Sequence, residues 1–176
     1  MGDCESIIRC SRCSLEQPFE RIHGYYYVHD DEPDEWPIDT QDGWCAACGT
    51  VATLERLPTL YEIETWIADL EANGRDELDP VTGLMRTVAL SIEKCRRRER
   101  WIAGRRSPPR CLACGSTDVA PAAEIDGFLH PGCGGRLSDL FTGVVSLRAH
   151  TARWTPEGNS LTSHPGPPPA RGESDS

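Results

Sequence analysis

The sequence predicts an α+β chain. Two small cysteine-rich β modules flank a two-helix hairpin, and a disordered C-terminal tail follows. Three observations carry that prediction. Cysteines fall in pairs with two residues between them, in two groups near the ends of the chain, "CSRC…CAACG" and "CLACGS…HPGCGG". The stretch separating the groups has apolar residues at helical rather than alternating spacing. The last twenty or so residues, ending "HPGPPPARGESDS", hold too little apolar surface to order themselves. The expected boundaries are 1–57 for the first module, 58–107 for the hairpin, 108–155 for the second module and 156–176 for the tail.

In the first module, "SIIRC" and "RIHGYYYVHD" have the β-branched and aromatic content of strands, and "TVATLERL" reads as another. The acidic, proline-containing "DDEPDEWPIDTQDG" is expected to be a loop. In the hairpin, Thr59 stands three residues before Glu62, a capping box, and Leu60, Ile63, Ile67 and Leu70 recur on one face until Asn73-Gly74. A second helix is expected from Asp79 as N-cap and Pro80 at the first helical position. Its stripe would be Val81, Leu84, Met85, Val88, Ile92 and Cys95, ending at Gly104 and Pro108-Pro109. In the second module "VVSLRAH" is the clearest strand.

Charge is uneven. The 176 residues carry a net charge of −10. Residues 94–110 are nonetheless basic, "KCRRRERWIAGRRSPPR". Arg96, Arg97, Arg98, Arg100, Arg105 and Arg106 with Trp101 suit phosphate contact and base stacking. The alternative is that they solvate a helix end, where cations are favoured. The acidic run of residues 30–42 lacks the spacing and glycine of a calcium loop. It reads as solvated loop, or as a dock for a basic partner with Trp36 as anchor. No apolar stretch approaches a membrane span, and the N-terminus does not read as a secretory signal. With nine cysteines in that setting, metal binding is the expectation over a disulfide framework, and the cytoplasm is the expected location.

The cysteine spacing points to zinc. A two-residue gap lets the chain turn so that both sulfurs face one point, and a glycine after the second ligand accepts the positive φ of that turn. Cys10, Cys13, Cys45 and Cys48 are expected to form a four-cysteine site. Cys111, Cys114 and Cys133 need a fourth ligand, and His130, at the same two-residue gap from Cys133, supplies it; Cys4, Cys95 and His150 are the alternatives. Cys95 also falls on the second helix's apolar stripe and reads as a structural cysteine. His23 and His29 read as ordinary strand histidines.

These paired knuckles resemble zinc ribbons, the rubredoxin-like class of small β modules, over residues 4–57 and 108–150 but not over the hairpin or tail. The resemblance implies two zinc-ribbon-like modules, each with one Zn2+. It is silent about function, because ribbons serve many. The chain has no phosphate loop, nucleophile elbow, H-E-x-x-H or dinucleotide fingerprint. Closed four-ligand sites leave no position for substrate, so the expectation is a non-enzymatic binding, adaptor or regulatory protein with a protein partner and no membrane. The alternatives are a nucleic-acid-associated protein using residues 94–110, or an electron carrier with iron at Cys10/Cys13/Cys45/Cys48. Neither knuckle of that set has the C-P-x-C-G form of a rubredoxin.

Overall fold

The computed structural model describes residues 3–21, 24–28, 35–78, 85–146, 152–155 and 161. Its elements run β1 (Asp3–Cys10), β2 (Glu16–Arg21), β3 (Tyr25–Tyr27), β4 (Trp36–Pro37), β5 (Thr40–Cys45), β6 (Thr50–Glu55), α1 (Leu60–Asn73), β7 (Glu77–Leu78), β8 (Met85–Arg86), α2 (Val88–Gly104), β9 (Val119–Pro121), β10 (Leu137–Ser146) and β11 (Ala152–Trp154). The fold is α+β as expected. No helix among the described residues is long and apolar enough to cross a membrane. The expected tail, 156–176, lies outside the described residues apart from Leu161, as do His23, His29 and His150.

Two compact units form, residues 57–107 and, together, residues 1–56 with 108–176. The two cysteine-rich segments therefore belong to one body, where the sequence reading separated 1–57 from 108–155. Long-range strand pairing is the reason. β1 pairs antiparallel with β10 along its whole length, from Asp3 opposite Ser146 to Cys10 opposite Leu137. β2 pairs on its other edge. β5 forms a hairpin with β6 and takes β9 on its free edge, with Trp44 opposite Ala120 and Cys45 opposite Val119. A third sheet joins β11 parallel to β3, and β3 antiparallel to β4. Tyr25, Tyr27, Trp36, Ile38, Ala152 and Trp154 of this region are all buried.

The β5–β6 hairpin is buried on both faces. Successive side chains of a strand point to opposite sides. Trp44 and Val51 accordingly enter one apolar cluster with Ile8, Phe19, Ile125 and Leu137, while Cys45, Ala52 and Leu54 enter another with Cys111. The acidic segment was read as loop as far as Gly43, yet Thr40–Gly43 are strand. Backbone pairing with Ala52–Glu55 outweighs the turn-forming composition of "DTQDG".

In the other unit, α1 and α2 pack together as a hairpin. Thr59 caps α1 with the full capping box, and Ile63 and Ile67 are its buried residues. α2 begins at Val88, not after Asp79. Thr87 Oγ1 accepts from Leu90 N and Asp76 Oδ1 accepts from Val88 N, so two of the exposed amides of the first turn are satisfied there. Met85 and Arg86 instead pair with Leu78 and Glu77, and residues 79–84 lie outside the described set.

The chain leaves the β body after Glu55 and returns at Arg110, and these two points are bound together. Glu55 N donates to Arg110 O at 2.8 Å, and Arg110 Nε lies 3.4 Å from Glu55 Oε2 with both side chains buried. Removing one member strands a buried charge, which is typically worth about 3–5 kcal/mol, whereas replacing both by apolar groups is often neutral. Glu55→Ala is therefore expected to lower unfolding stability by about that amount, and Glu55→Met with Arg110→Met to recover most of it. Chemical denaturation of the three variants checks this, and a double variant no better than the single refutes it.

Candidate metal centres

All eight ligands expected from the sequence come together, in two groups: Cys10, Cys13, His130 and Cys133 form one, and Cys45, Cys48, Cys111 and Cys114 the other. Within each group the ligand atoms lie within 4.8 Å of one another. The grouping differs from the expected sets, Cys10/Cys13/Cys45/Cys48 and Cys111/Cys114/His130/Cys133. The first knuckle meets the fourth and the second meets the third, so the clusters are nested, an outer one and an inner one. His130 does complete a shell with Cys133, but its partners are Cys10 and Cys13. Cys95 belongs to neither cluster and sits half-buried on α2, where burial raises its thiol pKa. Cys4 lies in β1, its side chain outside the described set.

Strand register explains the grouping. β1 delivers Cys10 opposite Leu137, and Ser11 N donates to Arg136 O at 2.9 Å, so the knuckle at the end of β1 abuts the one that leads into β10. The inner cluster assembles on the β5–β6 hairpin. Leu112 N donates to Thr53 O at 3.0 Å, Leu54 forms a bridge with Cys111, and β9 holds the chain beyond the knuckle against β5.

The four knuckles are built alike. In each, the first ligand pairs with the residue five positions on: Cys10 N with Leu15 O at 3.1 Å, Cys111 N with Ser116 O at 2.8 Å, His130 N with Gly135 O at 2.7 Å, and Cys45 with Thr50 in strand register. Amides inside the turn donate to sulfur, Arg12 N to Cys10 at 3.5 Å, Cys48 N to Cys45 at 3.4 Å and Ala113 N to Cys111 at 3.4 Å. Three knuckles end in a glycine of left-handed φ, Gly49, Gly115 and Gly134, as the spacing predicted.

The distances fit a tetrahedral ion. Metal–sulfur bonds of about 2.3 Å place neighbouring sulfurs about 3.8 Å apart on a tetrahedron, and a sulfur and an imidazole nitrogen about 3.5 Å apart. In the inner cluster Cys45 and Cys114 Sγ are 3.6 Å apart, and Cys48 and Cys111 Sγ 3.9 Å. In the outer cluster Cys10 and Cys133 Sγ are 3.4 Å apart, and His130 Nδ1 is 3.2 Å from Cys133 Sγ and 3.4 Å from Cys13 Sγ. Nδ1 is thus the nitrogen turned to the cluster. The His130 ring lies against Trp44, with centroids 4.7 Å apart.

The clusters differ in exposure. Cys45 and Cys111 are fully buried. None of the outer cysteines is, and one residue of each set, Cys13 and Cys114, is exposed. Thiol acidity varies within each cluster rather than between them, with Cys13 raised in the outer set and Cys114 lowered in the inner one. The Arg12 amide beside Cys10 brings that thiol down from 9.0 to about 6. Burial pushes Cys111 up to about 12, and pushes Cys48 up as well.

Residues 94–107 of the basic segment belong to the helical unit, and Arg110 to the β body. Arg97 and Arg100 reach Glu93 at 3.6 and 3.4 Å, and Arg96 reaches Glu99 at 3.8 Å. Arg98 lies over the Trp66 ring at 5.8 Å and Arg105 over Trp101 at 5.0 Å. Arg106 is exposed. The Trp36 anchor does not stand, because Trp36 is buried in β4 opposite Tyr27. Asp39 faces Arg56 at 3.9 Å, and Asp42 lines a cleft with Glu124, Asp126 and Asp139. No family model, no curated protein and no solved structure matches the chain.

Two tests follow from this geometry. A Cβ on Gly135 would stand 2.5 Å from Cys10 Sγ and 2.8 Å from Arg12 Cβ, whereas one on Gly104 would meet nothing within 4 Å. Overpacking of this kind typically costs about 1–3 kcal/mol, so Gly135→Ala should weaken metal binding at the outer cluster about tenfold or more while Gly104→Ala does not. Chelator competition on both variants reads the difference. The second test concerns pH. A lowered pKa means thiolate at lower pH, and only the thiolate alkylates. In chelator-treated protein Cys10 should react half-maximally near pH 6, with Cys111 and Cys48 still protected at neutral pH. Mass mapping of alkylated sites across pH decides it; uniform onset near the ordinary thiol value of about 8.5 would contradict the assignment.

Proposed function

We propose that the protein binds two structural zinc ions and acts as a binding or adaptor module. The single observation that carries this reading is the convergence of four two-ligand knuckles into two four-ligand sets, one of four cysteines and one of three cysteines and a histidine. Thiolate and imidazole donors in tetrahedral array select zinc or iron over harder cations. Zinc is preferred because it needs no redox tuning and commonly fills closed four-ligand sites whose work is to hold a fold. With four protein ligands apiece, neither cluster leaves a position for a substrate or an activated water, which supports a non-catalytic role. The knuckle geometry also supports the zinc-ribbon resemblance, with each site assembled from remote rather than adjacent knuckles. The helical unit, inserted between the two inner knuckles, is the part proposed to meet a protein partner in the cytoplasm.

A second reading, association with nucleic acid, is favoured by one observation: Arg96 and Arg100 keep half or more of their side-chain surface exposed despite their glutamate partners. A filter-binding assay across salt concentration tests it, because phosphate contacts give a steep slope.

The two-zinc reading and its nested pairing are tested together by elemental analysis of protein purified without added metal. Wild type should carry two equivalents of zinc. The double variant Cys13→Ser, Cys45→Ser disables one ligand of each nested cluster and should lose both ions. Were Cys10, Cys13, Cys45 and Cys48 a single site, the same variant would retain one. Visible absorbance from bound iron would redirect the reading to electron transfer.

A further inference from the structure

β5 touches both clusters through consecutive residues. Cys45 is a ligand of the inner cluster. Trp44, immediately before it, points to the opposite face and lies against the ring of His130, a ligand of the outer cluster. The backbone at this point is fixed by the inner cluster's other half. Trp44 stands opposite Ala120 and Cys45 opposite Val119 in β9, the strand that follows the Cys111–Cys114 knuckle, and Ala46 N donates to Asp118 O at 3.0 Å. Trp44 also belongs to one apolar cluster with Ile8 of β1 and Leu137 of β10, the strands that carry and follow the outer knuckles. Trp44 therefore links the strand that carries an inner ligand to the ring of an outer one.

We infer that Trp44 is a positioning residue that couples the two metal sites, so that filling either raises the affinity of the other. An ion at Cys45, Cys48, Cys111 and Cys114 locks β5 against β9 and with it the indole. The indole in turn offers His130 one ring position, with Nδ1 toward Cys10, Cys13 and Cys133. The second ion then meets a shell whose ordering has already been done, and ordering completed by one ligand appears as affinity for the next. Coupling of this kind is a free energy shared by the two sites and is reciprocal by necessity. Trp44 binds neither ion; it acts through His130 and through the strand that carries Cys45.

Chain closure alone also links nested sites, since forming the inner cluster shortens the loop that the outer must close. The Cys13-to-His130 span is 117 residues and the inner cluster removes the Cys48-to-Cys111 span of 63 from it. Loop entropy scales with the logarithm of length, which makes this contribution only about threefold.

The inference rests on the two-zinc reading, and zinc titration of the full chain against a chromogenic chelator separates their failures. Cys13→Ser disables the outer cluster and Cys114→Ser the inner. Each should weaken zinc binding at the surviving cluster by the same factor, about tenfold or more, within the range usual for coupled sites. In a Trp44→Leu background, which keeps apolar volume but removes the ring, that factor should fall to about the threefold of chain closure; Trp44→Phe should restore most of it. If wild type takes up no zinc, both readings fall. If wild type binds two ions and the single-cluster variants leave the other site unchanged, the coupling is overturned and the two-zinc reading stands. If Trp44→Leu weakens both sites yet preserves the factor between them, Trp44 is only a core residue and the inference fails.

Discussion

The outer cluster must hold Cys13 and His130 within 3.4 Å of one another although 117 residues separate them. Bringing such distant points together costs roughly 4 kcal/mol of chain entropy before any side chain is ordered. Much of the β body answers that constraint. β1 and β10 run in register so that their ends present two knuckles to each other, and β5 takes β9 on its edge so that the inner pair closes inside the outer. Nesting has a topological merit. Each closure uses antiparallel pairing made by its neighbouring strands.

Among the described residues, the apolar clusters on the two faces of the β5–β6 hairpin are small. One cluster of buried residues has six members, Ile8, Phe19, Trp44, Val51, Ile125 and Leu137. The other has four, two of them cysteine ligands. Metal–ligand bonds add to that burial, because an unfolded chain cannot form them. The arrangement also explains why the hairpin of β5 and β6 is buried on both faces: it is the wall between two centres. By contrast α2, with no fully buried residue, leans on intrahelical ion pairs and on stacked arginines.

What was legible in the sequence was local. The two-residue gap identifies a knuckle, the glycine after it identifies the turn, and His130 announces itself by standing at that gap from Cys133. Thr59 and Glu62 mark the start of α1 for the same reason, since a capping box is complete within four residues. The grouping of knuckles was not legible, because it depends on which strand "SIIRC" pairs with, and its partner lies beyond residue 136. Thr40–Gly43 were masked by turn-forming composition that pairing with β6 overrides. The start of α2 was misplaced because Asp79-Pro80 is a good local start. Thr87 wins with help from Asp76, a side chain eleven residues away in sequence. Trp44 carried no signal at all, for an indole before a cysteine says nothing of a histidine far along the chain.

The chain departs from the β body at Glu55 and re-enters at Arg110 through adjoining backbone, sealed by a hydrogen bond and a buried ion pair. Such a neck acts as a socket. Whatever is spliced between its two lips must bring its own ends together, and the pairing of β5, β6 and β9 uses no residue from 57–107. Descent could lengthen or exchange the insert there without altering the strand register of the metal-stapled body, and an engineer could graft a helical hairpin or a reporter with adjacent termini at the same place.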